Sequence, residues 1–155
     1  DQGPKGLQAR VLTVPAGLQF TLGGPAMFEA GSAELTGTGR HAVVDLAPLL
    51  AGRRNRIVVR GHAANKYLSP SSPWRSLDEL SFHRAMAVRE ILMETGIDDR
   101  LFRIEAVGSR EPLNPRAYLE SEMAEHRRVD IVLTEDLLEP TGPVRTALIT
   151  ESASP

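Results

Sequence analysis

Arg56-Ile-Val-Val-Arg-Gly-His62, Ser76-Leu-Asp-Glu-Leu-Ser-Phe-His-Arg-Ala-Met-Ala-Val-Arg-Glu-Ile-Leu-Met-Glu-Thr-Gly96 and Phe102-Arg-Ile-Glu-Ala-Val107 follow one another in the middle of the chain, and together they decide the fold. The first is a β-branched run of the kind found in central strands buried on both faces. The second opens on Ser76 and Glu79, spaced as a capping box, and closes on Gly96, a helix stop. The third alternates as a strand. Strand, helix, strand is a βαβ unit, and it predicts a sheet with helices packed on it.

The same reading extends outward. Residues 9–14 and 18–22 are strand-like and flank Pro15-Ala-Gly17, so they predict a hairpin. Residues 39–51 carry Val43, Leu46, Ala47 and Leu50 at helical spacing, and Pro48 is expected to kink this helix or split off its last turn. Residues 63–76 form a long loop with no periodicity. Loops of that kind are usually functional or disordered. Residues 116–124 read as a short helix and residues 129–133 as the last strand. The expected architecture is α/β (α+β): a mixed sheet of about four strands plus an N-terminal hairpin, with two main helices packed on it. Residues 1–17 are a lead and first strand, 18–135 the domain, and 136–155 a tail.

Composition narrows the chemistry. The chain has 155 residues, a net charge of −2, 5% aromatics and no cysteine. That balance excludes a strongly basic nucleic-acid binder and a base-stacking platform. It also excludes disulfides, thiol nucleophiles and thiolate metal sites. No run approaches the roughly 20 apolar residues of a membrane span. The four histidines form no HxxxH or HExxH pair, no phosphate-binding glycine loop is present, and no nucleophile, base and orienter stand together. No enzyme activity, cofactor or metal is expected. The chain opens on Asp1 rather than Met, which reads as a processed or excised form, so that any anchor or leader would lie upstream of this sequence.

Arg84 is the oddity. On the second helix it falls on the stripe made by Leu77, Leu80, Val88, Ile91 and Leu92. Guanidinium keeps its charge on burial. It therefore either snorkels out, meets an acid, or presents a cationic fork to a carboxylate or phosphate ligand. The position of the helix, just after a long loop that leaves a central strand, favours a site outside the strand end. His62 at that strand end and Arg127-Arg128 before the last strand are further candidates for polar or anionic contacts.

Taken together, Gly61-His62, Leu80-Ser-Phe-His-Arg-Ala85, Gly96-Ile97, Gly108, Pro112, Arg127-Arg128-Val129-Asp-Ile131 and the segment Phe28-Glu-Ala-Gly-Ser-Ala-Glu-Leu35 resemble the OmpA-like peptidoglycan-binding domain. The loop length is similar to that of MotB-like members. The resemblance implies a non-catalytic module that holds the cell wall, in the periplasm or cell envelope, with peptidoglycan as partner. It leaves homodimerisation open and places a membrane anchor outside this chain. In the family the helix arginine receives the carboxylate of the stem-peptide diamino acid, and an aspartate after the Gly-His pair receives its ammonium. Arg84 matches the first role. The family's Thr-Asp pair is Ala63-Ala64 here, an Asn is replaced by Leu77, and another by His126. The expected ligand set is Arg84, His62, Asn65 and Arg127. The alternative is a domain that kept the fold, lost the clamp and serves assembly or dimerisation.

Overall fold

The computed structural model describes residues 5–113 and 123–138. Strands β1 (Gln8–Val14) and β2 (Gly17–Gly23) form the hairpin, turning through Pro15 and Ala16. Helix α1 (Gly37–Leu50), strand β3 (Asn55–His62), helix α2 (Leu77–Glu94), strand β4 (Phe102–Gly108) and strand β5 (Val129–Leu137) follow. The strands make one sheet in the order β1-β2-β5-β3-β4. Among the described strands only the β3–β4 pair, joined through α2, is parallel. The hairpin is therefore part of the sheet: β2 pairs with β5, and the five strands include both of its arms.

Strand alternation separates the two faces of this sheet. Phe20, Leu22, Ile57, Val59, Val129, Ile131 and Leu133 point to the helices and share one core with Val43, Leu46, Leu50, Val88 and Leu92. Thr21, Arg60, His62 and Asp130 occupy the opposite face, where Asp130 accepts from Thr21 Oγ1 at 2.8 Å and from His62 Nε2 at 2.7 Å.

Local signals set the helix ends. Thr36 caps α1, accepting from the Gly39 N–H at 2.9 Å. Ser76 Oγ accepts from the Glu79 N–H at 3.1 Å, while Glu79 Oε1 accepts from the Arg75 N–H. At the far end of α2, Gly96 N–H donates to Met93 O and Ile97 N–H to Leu92 O, the two bonds of a Schellman stop. Pro48 lies inside α1, but α1 runs on to Leu50, so the last turn is not split off. Its missing N–H falls on an exposed side of the helix, where water can satisfy the freed carbonyl. The short helix expected over residues 116–124 lies outside the described residues up to 122, with a single 3-10 turn at Ala124–His126; β5 runs on to Leu137, so Asp136 and Leu137 of the expected tail belong to the sheet, and the tail beyond Leu138 lies outside the described residues.

Candidate functional site

The site forms where β3 ends against the start of α2. Gly61 is the reason the two come so close. A Cβ there would run into the carbonyl of Ser81, one helical turn before Ala85. Ser81 Oγ then accepts from the Gly108 N–H at 2.9 Å, tying α2 to the end of β4. Three residues further on, the same face of α2 carries Arg84 into the gap.

Arg84 is 1% exposed. Its Nε donates to Ser32 O at 2.8 Å, Nη1 to His62 O at 3.1 Å and Nη2 to Glu29 O at 3.4 Å. The guanidinium carbon lies 5.0 Å from the ring centroid of Phe28, a cation–π contact. A guanidinium has five N–H donors, so these bonds leave two for other use. No carboxylate among the described residues lies within ion-pair distance of it. Burial, and then the nearby charge of Arg127, bring its pKa down to about 9. It is charged at neutral pH all the same.

Backbone carbonyls of residues 28–35 supply the cradle. Phe28 and Leu35 pair across the ends of this segment. Gly31 turns it with φ +70°, a left-handed conformation that glycine adopts without a Cβ clash. Phe28 O accepts from Arg127 Nε at 2.9 Å, and Gly31 O from Trp74 Nε1 at 2.8 Å. One short segment thus fixes both arginines and the end of the loop that precedes α2.

Arg84 and Arg127 line a cleft of about 290 Å³ together with Lys66, Ala64, Leu80 and residues of the 63–76 loop. Ser69, Ser71 and Ser72 bring hydroxyls, while Tyr67, Leu68 and Leu77 bring apolar surface. The described lining residues include three cations and no acid. Among the described lining residues, cationic donors able to meet an anionic group thus stand beside apolar walls.

Of the expected ligand residues, the structure brings Arg84 and Arg127 together. His62 has a different task. Its ring is 1% exposed and turned to Asp130 on the far face of the sheet, and only its carbonyl reaches the site, through Arg84. Asn65 is exposed and does not line the cleft. Sequence reasoning did not find the roles of Phe28, Ser81 or the carbonyls of Glu29 and Ser32. For Ser81 a signal exists, since a small polar residue faces a strand-end glycine. Main-chain acceptors carry none. No group of three or more His, Asp or Glu among the described residues is placed to hold a metal.

The OmpA family model matches residues 27–126, a span that holds Phe28, His62 and Arg84 and stops one residue short of Arg127. Among curated proteins, a putative flagellar export/assembly protein, LafU of Escherichia coli O44:H18, is 29% identical over 110 residues, covering 69% of this chain and 34% of the relative. The truncated LafU of Escherichia coli K12 is likewise 29% identical, with 49% of it covered. The chain thus spans between a third and a half of the curated relatives it matches. Among solved structures, the periplasmic domain of Helicobacter pylori MotB superposes with a TM-score of 0.72 at 22% identity, covering 83% of each chain. The cell wall anchor of the type VI secretion system from Pseudomonas aeruginosa gives 0.69 at 27% identity, covering 82% of this chain and 88% of that one. Both helices, strands β3 and β4 and the Arg84 cradle fall within the family match: the chain belongs to the OmpA family, and its domain is structural rather than catalytic.

Proposed function

We propose that this domain binds peptidoglycan in the periplasm, as the wall-holding part of a bacterial envelope protein. One observation carries the reading. A guanidinium is buried to 1% exposure with no carboxylate beside it among the described residues, and it lines a cleft with two N–H groups to spare. Burying a cation in this way is costly unless something anionic completes it. The carboxylate of a stem peptide suits a planar fork.

In this reading Arg84 and Arg127 receive the carboxylate. His62 holds Arg84 through its carbonyl, and Asn65 contributes from the exposed loop as the chain enters the wall. The wall anchor and periplasmic domain among the structural relatives support this function. The flagellar name of the curated relative supports a stator-like assembly, with the membrane anchor in a segment other than the described helices, none of which is long and apolar enough to cross a membrane. A pull-down on purified sacculi tests the reading. Wild type should sediment with the wall, and Arg84→Ala, checked for folding by circular dichroism, should lose most of that binding. Undiminished binding by the variant sinks the assignment.

Ala64 favours a second reading, in which the fold serves assembly or dimerisation and the wall contact has been lost. Wild type then stays in the supernatant and Ala64→Asp gains some sedimentation. Strong wild-type binding overturns it.

A further inference from the structure

Two faces of the sheet meet in one residue. His62 closes β3, and the pairing with β4 slips there: Gly61 faces Ala106, whereas His62 faces Gly108. A slipped register disrupts the ladder locally, so the strand end is held less firmly than a strand interior. Three bonds from His62 replace that support. Its N–H donates to Arg128 O at 3.0 Å. Its ring donates through Nε2 to Asp130 Oδ2 at 2.7 Å, on the face of the sheet away from the helices. Its carbonyl accepts from Arg84 Nη1 at 3.1 Å, toward α2. Arg128 precedes β5 and Asp130 lies in it, so one stretch of chain grips His62 at two points.

Asp130 sets the orientation of the ring. The ring's other nitrogen, Nδ1, is buried and has no hydrogen-bond partner among the described residues. Asp130 is itself pinned by Thr21 Oγ1 of β2 at 2.8 Å, with Arg128 Nε 3.6 Å and Arg60 Nη1 4.0 Å from its carboxylate. A buried ionic cluster of this kind adds little net stability over an apolar one of the same shape. Its hydrogen bonds do fix one geometry. Here that geometry ends in an acceptor of Arg84.

We propose that Asp130 is a positioning residue for the Arg84 cleft: through the His62 ring it holds the carbonyl that aims the guanidinium, and so contributes to ligand binding from the opposite face of the sheet. As a statement about the ligand this rests on the peptidoglycan reading of the cleft; as a statement about Arg84 it does not.

Two readouts on the full chain test it. One is the nuclear magnetic resonance signal of the Arg84 Nε–H, assigned by its loss in Arg84→Lys. The other is affinity for a soluble muropeptide by isothermal titration, at a temperature where circular dichroism shows each variant folded. His62→Phe keeps a buried ring and removes the N–H to Asp130. It should shift the Arg84 signal and weaken binding at least about fivefold, the worth of one hydrogen bond. His62→Gln, which returns an N–H to that place, should restore both. Where His62→Phe does not fold, Asp130→Asn, with the carboxylate's shape and without its charge, takes its place and should move the same signal. An unmoved Arg84 signal in a variant that has lost only stability reduces the pair to a structural role and overturns the inference, with the peptidoglycan reading intact as long as wild type binds. A shift that His62→Gln leaves in place assigns the effect to packing and overturns the inference too. If wild type binds no muropeptide, the peptidoglycan reading fails, and the signal alone decides whether Asp130 positions Arg84.

Discussion

Buried charge is handled in two ways in this domain, and two residues show the contrast. Among the described residues, Arg84 meets only backbone carbonyls, an aromatic face and the charge of Arg127. Asp130, 2% exposed, is by comparison fully provided for. Burial pushes its pKa up, but the hydrogen bond and charge of His62, together with Arg128 and Thr21, hold it below the ordinary carboxylate value. A carboxylate whose folded pKa is depressed contributes stability above its unfolded pKa, about 3.9, and loses that contribution as pH falls through the folded value. Urea unfolding should therefore show wild-type stability falling as pH drops below about 4. Asp130→Asn should lower stability at pH 7 by about 3 kcal/mol, because it breaks a buried charged network on one side only, and should flatten the acid limb. A variant with wild-type stability at pH 7 and an unchanged acid limb would show that Asp130 has no such role. The sequence marked Arg84 because a charge sat on an apolar stripe. It offered His62 only as a candidate polar contact and did not name Asp130 as the partner of its ring, because alternation in a strand says which face a side chain takes but not which partner waits there.

At the scale of elements, the site depends on how closely α2 lies over the end of β3. The capping box at Ser76 and the stop at Gly96 were legible, and so was the stripe that buries Leu80, Val88, Ile91 and Leu92. The closeness of the approach was not. It depends on Gly61 meeting the backbone of Ser81, a contact between residues 20 apart in sequence with no periodic signature. Gly61→Ala would place a methyl group against a carbonyl that cannot rotate away, so α2 must shift outward or β3 must twist. Thermal or urea unfolding should register a loss of about 3 kcal/mol, the upper range for overpacking a tight contact. Arg84 rides on the displaced helix, so sacculus binding should fall as well, beyond what the unfolded fraction accounts for. Retained stability would mean that the helix has slack at this point. The cradle of residues 28–35 was recognisable as a pattern but not as a mechanism, since its contribution is made by main-chain oxygens.

The whole molecule is a sheet that the N-terminal hairpin completes, and here the family boundaries and the physical domain part company. The family match begins at Met27, after β2 has ended. Yet β2 pairs with β5 along Gly17–Leu22, and its Phe20 and Leu22, each 5% exposed, belong to the core. The hairpin was legible because Pro15 and Gly17 mark the turn. Its insertion beside β5 was not, since pairing between residues more than a hundred apart leaves no local trace. The two arms have unequal shares of the work: every residue of β1 except Val14 is exposed, so β1 shields β2 more than it fills the core. A chain that starts at residue 17 should therefore fold with a lowered melting temperature. One that starts at residue 27 loses Phe20 and Leu22, at about 3 kcal/mol each, and leaves β5 without its β2 partner. That loss is comparable to the whole stability of a typical domain, about 5–15 kcal/mol. Circular dichroism melts of the two truncations decide the point: a cooperative transition in the residue-27 chain would show that the family-matched region folds without β2, whereas loss of the transition there and its survival in the residue-17 chain would make β2 part of the minimal folding unit.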